Sequence, residues 1–316
     1  MAEIIPDFKV IYPNQLLVST NIPITTAAYV LNTTYAKGAK VYDAATKKDY
    51  ESLKDGNLLE TYKDLSEATN WLDLGATNPY AMFDDIFQSQ TISAVGTNIV
   101  VTIKQDDTNE EAPSLVTNAM AFFNLYAKEI TITGTNGYNE TFNLVAKMQI
   151  STCKEINCNF GRKIFKRTLV VNLPKSCEAV EYTVTIKPPY QDKPAKCGIL
   201  KYGSTIAMGI TLKRANLTSL DYSLKEKNEW GGDFIVERPY STRLTASIIM
   251  STDAMSGVWE FLDDVRAKPL VWIPTENNRY RIFTTYGIIT DKSISADDIG
   301  EGTCDQQMEI TVEGLT

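Results

Sequence analysis

Four stretches of the chain, Ile99-Val-Val-Thr-Ile103, Glu129-Ile-Thr-Ile-Thr133, Leu169-Val-Val-Asn-Leu173 and Tyr182-Thr-Val-Thr-Ile186, are rich in β-branched residues. Such side chains are stiff at χ1 and pack well on a pleated surface, so runs of this length and composition read as strands. Turn formers separate them: Gly96-Thr-Asn98, Gly134-Thr-Asn-Gly137, and the segment that runs from Lys187 through Pro188 and Pro189 to Asp192. Gly reaches positive φ freely, Asn tolerates it, and Pro fixes φ while removing a donor, so these segments interrupt a ladder. Short strands at this spacing predict a β-sandwich over about residues 75–200.

A second β region follows, with Phe234-Ile-Val-Glu237, Arg243-Leu-Thr-Ala-Ser-Ile-Ile-Met250, Leu270-Val-Trp-Ile273, Tyr280-Arg-Ile-Phe-Thr284 and Glu309-Ile-Thr-Val312. One helix interrupts it. Met255, Val258, Trp259, Leu262 and Val265 recur at steps of three and four, which places them on one face of a helix over 254–267. Ser251-Thr-Asp253 supplies its cap and Pro269 its stop. The turn-rich stretch from Gly198 to Gly209 marks a crossover between the two regions near residue 205. Residues 1–70 carry extended apolar segments around Val10 to Val18, then a polar stretch rich in Lys, Asp and Tyr. The expected fold class is therefore mainly β, with an N-terminal β-rich segment, a β-sandwich, and a second β domain flanked by one α-helix.

The 316 residues suffice for two domains of ordinary size. With 31 basic against 39 acidic residues, the net charge of −8 disfavours broad electrostatic attraction to nucleic acid, whose phosphates most of the surface repels, and no sequence-specific nucleic-acid partner is expected. Arg162, Lys163, Lys166 and Arg167 are a local exception. They read first as a solvated strand edge, where basic side chains deter stray pairing, and second as a phosphate site. No stretch approaches the roughly 18 apolar residues of a membrane span, and Met1-Ala-Glu-Ile-Ile-Pro-Asp-Phe8 lacks the basic and apolar regions of a signal peptide. Folding in a cytoplasm is the expectation, and the Asn-x-Thr triplets at Asn32, Asn139 and Asn216 then carry no glycosylation argument.

The chain has no histidine. That removes the usual general base, the common metal ligand and every Ser-His or Cys-His nucleophile pair. Asp84 and Asp85, with Asp73 nearby, are the candidates for paired carboxylates. Adjacent side chains on an extended segment point opposite ways, so structural turn residues are the better reading. Gly231-Gly232 and Gly300-Glu-Gly302 lack the P-loop Lys and the dinucleotide fingerprint. Cys153, Cys158, Cys177 and Cys197 fall within 45 residues, but only the first pair is close. That spacing suits small buried hydrophobes, with a Cys153 to Cys158 disulfide or a zinc site as alternatives; Cys304 reads as a lone strand residue. No catalytic residue, metal or cofactor is expected.

Tyr35, Tyr50 and Trp71, spread through a polar segment, carry the one binding hypothesis with a mechanism. As an exposed platform they would stack on a sugar ring while polar neighbours bond its hydroxyls. As the core of a small subdomain poor in aliphatics they would bind nothing.

Two sets of motifs carry a resemblance. The stretch Trp71-Leu-Asp-Leu-Gly-Ala-Thr-Asn-Pro-Tyr-Ala-Met-Phe-Asp84 resembles the opening of a galactose-binding-like jelly roll in bacteriophage tail proteins. Leu220-Asp-Tyr-Ser223, Glu237-Arg-Pro-Tyr-Ser241, Arg266-Ala-Lys-Pro-Leu-Val-Trp-Ile273, Tyr286-Gly287 and Glu309-Ile-Thr-Val-Glu-Gly-Leu-Thr316 resemble the C-terminal half of the same family. Leu173-Pro174 and Cys197-Gly-Ile-Leu-Lys-Tyr-Gly203 sit between them at the expected places. Pro79 and Leu224-Lys225 depart from the family, which often has basic residues there. Tyr35-Ala-Lys-Gly38, Val41, Tyr50-Glu-Ser52, Asn57 and Trp71 are similar to the aromatic-glycine-aromatic pattern of small chitin-binding-type modules, although the usual Asn-Pro step before the Trp is missing.

The resemblance implies an N-terminal carbohydrate-module-like region over 1–71, a jelly roll over 72–205, and a tail-tube or distal-tail-like β-sandwich or barrel over 206–316. It implies a virion structural protein of the tail tip or baseplate, assembled in the host cytoplasm. That protein would form a homo-oligomeric ring, trimer or hexamer, through β-sheet edges, against other tail tube and baseplate or hub proteins. A host surface glycan is a further expected partner. The alternative is a receptor-recognition protein of the tail that holds host glycan through Tyr35, Tyr50 and Trp71.

Overall fold

The computed structural model describes residues 7–13, 16–104, 118–136, 141–150, 164–174, 179–227, 230–275, 277–295 and 306–315. The chain is mainly β, with several antiparallel sheets and a single α-helix among the described residues. Two sheets dominate. The smaller holds Thr141–Lys147, Glu129–Asn136, Ala179–Lys187, Ile99–Lys104 and Leu16–Thr20 in that spatial order. The larger has eight strands, among them Ala119–Phe123, Leu169–Asn172, Tyr240–Met250, Gln306–Gly314 and one 23-residue strand, Ile199–Asp221.

Period-two alternation explains how the first core forms. Ile99, Val101 and Ile103, then Ile130 and Ile132, then Tyr182, Val184 and Ile186 turn one face of the smaller sheet inward. They meet Met120, Phe122, Leu200 and Tyr202 of the larger sheet, which closes a sandwich. Each fully buried aliphatic or aromatic side chain in such a core contributes about 1.5–3 kcal/mol relative to exposure. The strand Ala119–Phe123 is buried along its whole length, because Ala119, Ala121 and Phe123 face a third cluster with Ile199, Val271, Ile273 and Tyr286. A strand covered on both faces reads as a continuous apolar run, and Ala-Met-Ala-Phe-Phe is one.

The second core lies beneath the helix Thr252–Asp264. Leu244, Ala246, Ile248 and Met250 alternate inward from one strand, Met308, Ile310 and Val312 from its neighbour, and Leu262 and Val265 close it from the helix side. The stripe Met255, Val258, Trp259, Leu262 and Val265 therefore packs as its spacing requires. The helix ends earlier than Pro269 would force. Ala267 takes a left-handed φ of 62°, and the Lys268 N–H donates to the Val265 carbonyl, so a turn closes the helix first.

Two further expectations are corrected. Tyr280-Arg-Ile-Phe-Thr284 is not a strand but lies largely in a kinked 3₁₀ segment, Asn278–Phe283, with Tyr280 and Ile282 exposed. Its alternation has no sheet face to serve. The stretch from Gly198 to Gly209 is not a turn-rich crossover; it is mostly the first half of the long strand Ile199–Asp221. Gly209 absorbs the bend there with a φ of 141°, and a Cβ at that position would lie 2.5 Å from the Ile249 carbonyl oxygen. Residue 205 thus falls inside a strand that serves both cores, Leu200 and Tyr202 in the first and Met208 in the second.

The N-terminal residues bind the sheets together. Asp7–Pro13 pairs with Leu270–Ile273 on one side and with residues 203–210 of the long strand on the other. Leu16–Thr20 pairs instead with Ile99–Lys104 of the smaller sheet. Later in the chain, Lys40–Asp43, Lys48–Ser52 and Trp71–Ala76 form a separate three-stranded sheet with its own small core.

Candidate functional site

Tyr35, Tyr50 and Trp71 do come together, but as packing. Trp71 is 1% exposed and Tyr50 7%, and both sit with Val41, Leu59 and Leu65 in the core of the three-stranded unit. Tyr35 is half-buried with its ring edge-on to Trp71 at 5.4 Å, and its hydroxyl is engaged by the Val30 backbone. Strand alternation turns Trp71 and Tyr50 inward because this polar segment has few aliphatics with which to fill a core. The exposed stacking platform is corrected to the other reading, the core of a small subdomain.

The neighbouring carboxylates are also engaged. Asp73 accepts from the Lys48 Nζ at 2.6 Å, and Asp84 accepts from the Ile86 N–H at 2.9 Å. Burial raises the Asp84 pKa above the usual carboxylate value. Asp85 accepts from the Lys201 ammonium at 3.0 Å and from the Tyr286 hydroxyl. Burial first, then the bond to Asp85, raises the Tyr286 pKa. Asp84 and Asp85 thus serve different partners, as adjacent residues of an extended segment must. The Asp85, Lys201 and Tyr286 cluster ties three distant parts of the chain together, and a phenol held protonated offers no nucleophile at neutral pH.

Cys197 is fully buried, and its thiol pKa is pushed up by burial, so it serves as a small hydrophobe. Cys153, Cys158, Cys177 and Cys304 lie outside the described residues, as do Arg162 and Lys163. No group of three Cys, Asp or Glu side chains among the described residues is arranged to hold a metal ion. No helix among them is long and apolar enough to cross a membrane.

The surface offers a more distinctive feature. Leu224–Lys227 and Asp233–Val236 pair only with each other, as a two-stranded arm. It grows from the hairpin that the end of the long strand forms with Tyr240–Met250. The ladder breaks at the base, where the Ser223 N–H donates to the Asp221 carboxylate and the Arg238 N–H to the Ser223 hydroxyl. Beyond this break Phe234 is 57% exposed, Ile235 61% and Trp230, at the tip, 92%. Phe234 and Ile235 point to opposite faces by strand alternation, so neither face of the arm is covered. Tyr222 and Tyr240 extend the exposed apolar surface to the base. A two-stranded hairpin is marginal alone in water, and exposed large apolar side chains in one place mark a binding surface.

No protein-family model and no curated protein matches the chain. Among solved structures, the module CBM32-3 of a family 31 glycoside hydrolase from Clostridium perfringens overlaps 40% of this chain and 81% of its own, with 13% identity and a TM-score of 0.30. Chitosan-binding module 1 of a chitosanase/glucanase from Paenibacillus sp. IK-5 overlaps 39% of this chain and 83% of its own, with 12% identity and a TM-score of 0.26. A chain from the tail of an empty GTA particle overlaps 36% of this chain and 84% of its own, with 11% identity and a TM-score of 0.25. Antiparallel sheets of unrelated proteins share geometry at this level, so these overlaps assign neither family nor role.

Proposed function

We propose that this protein is a non-enzymatic structural subunit of a bacteriophage tail that assembles with copies of itself into a ring at the tail tip or baseplate. The observation that carries the reading is the arm over residues 224–236, with Trp230, Phe234 and Ile235 in solvent. Leaving these three side chains exposed forgoes about 1.5–3 kcal/mol each, which burial against a neighbour would recover. A heterologous contact, arm on one subunit and receiving surface on the next, propagates around a ring when the rotation closes. The tail context comes from the sequence resemblance at Leu220–Ser223, Glu237–Ser241 and the C-terminal strand, which flank or abut the arm. The adjoining tail proteins would be further partners.

Mass photometry of the purified chain across a concentration series tests the assembly step. The expected result is a ring of fixed stoichiometry that dissociates on substitution of Trp230, Phe234 and Ile235 by Ser. A wild-type chain that stays monomeric at every concentration, with no antibody label on tails of the phage that encodes it, would sink the proposal.

A further inference from the structure

Lys147, Lys166 and Arg281 line one cleft of about 390 Å³ between the sandwich and the C-terminal region. In a chain of net charge −8, the described residues lining this cleft include three cations and no carboxylate. Among the described residues, ion pairs elsewhere join Lys40 with Glu51, Lys48 with Asp73, Lys187 with Glu129, Lys201 with Asp85, Arg243 with Glu313 and Lys292 with Asp263. Among the described residues, none of the three cleft cations forms an ion pair. Glu129 stands across the strand pair from Lys147, but its carboxylate is bound to Lys187 at 2.6 Å.

The fold fixes the backbone positions that carry these cations. Lys147 ends a strand of the smaller sheet, the Lys166 N–H donates to the Met148 carbonyl at 2.8 Å, and Arg281 projects from the 3₁₀ segment Asn278–Phe283. The Lys166 ammonium is half-buried, and its pKa is lowered by that burial and by the nearby Arg281 guanidinium. The fold thus keeps two like charges close in a partly dehydrated place, an arrangement that an anion between them would relieve. The hydroxyls of Thr168, Thr275 and Thr284 line the same cleft and add neutral hydrogen-bonding groups suited to a polyhydroxylated body. The cavity falls in the size range, upward of roughly 300 Å³, of small-molecule sites.

We propose that this cleft is a binding site for the phosphate or carboxylate group of a small hydroxylated ligand, a sugar phosphate or a uronic acid. Lys166 and Arg281 hold the anion, and Thr168, Thr275 and Thr284 meet the hydroxyls. The site is independent of ring assembly and uses none of the arm residues.

Isothermal titration calorimetry of the full chain at neutral pH and low salt, with glucose 6-phosphate, glucuronate and glucose as probes, tests it. The expected result is saturable binding of at least one anionic sugar, about tenfold or more tighter than glucose, and lost in Lys166→Met and in Arg281→Gln. Lys166→Met is also expected to raise the unfolding temperature of the ligand-free chain, because it removes the repulsion with Arg281. No saturable binding of either anionic sugar, or binding that survives in both variants, would overturn the site.

Discussion

At the scale of single residues, burial decides what the aromatic side chains do. Trp71→Ala empties the centre of the small N-terminal core and is expected to cost about 3–5 kcal/mol, read as a local loss of protection in hydrogen exchange over residues 40–76. A variant that stayed fully protected would return Trp71 to the surface. Tyr182 is a subtler case. Its hydroxyl is buried without a hydrogen-bond partner among the described residues, and burial pushes its pKa up to about 12. A phenol whose folded pKa lies above the unfolded value of about 10 supports folding fully below that pH. The support is lost as pH rises through the folded value. Tyr286 adds to the same trend, since burial and Asp85 raise its pKa as well. Tyr182→Phe is therefore expected to leave stability at neutral pH unchanged or slightly higher and to flatten the loss between about pH 10 and 12. Urea midpoints measured across that range check both parts. A steeper loss in the variant would contradict the assignment.

At the scale of elements, the strongest local signals specified what formed and the weaker ones did not. The helix Thr252–Asp264 follows from one apolar stripe, and Leu262→Ala should destabilise the C-terminal half by about 2–5 kcal/mol, because Leu262 lies at the centre of that core. Thermal unfolding followed by circular dichroism measures this. The arm behaves oppositely. Phe234-Ile-Val reads as a strand, and a strand forms, yet an apolar run of this kind looks the same whether it is destined for a core or for a neighbour. Ser in place of Trp230, Phe234 and Ile235 is accordingly expected to leave the monomer's unfolding temperature nearly unchanged, since none of the three is buried. A large drop would show that the arm packs on its own subunit.

At the scale of the whole molecule, the sheets depend on contacts far apart in sequence. Asp7–Pro13 joins the larger sheet between residues 203–210 and 271–273, while Leu16–Thr20 joins the smaller, so one short stretch links both layers. Removing residues 1–20 is expected to expose sheet edges in each layer and to abolish cooperative unfolding; a truncated chain with a single sharp transition would count against that linkage. Alternation in Ile99–Lys104, Glu129–Asn136 and Tyr240–Met250, and the three-and-four spacing from Met255 to Val265, determined by themselves that the chain is mainly β with one packed helix. Those patterns are local, because side-chain direction repeats within each element. Which strands become neighbours, that the Gly198 to Gly209 stretch extends into one long strand, that Tyr35, Tyr50 and Trp71 turn inward while Trp230, Phe234 and Ile235 turn outward, and that Lys166 faces Arg281 were decided only by the tertiary structure. Each depends on what the rest of the chain places opposite, and pairing across 100 or 200 residues leaves no periodic trace in sequence.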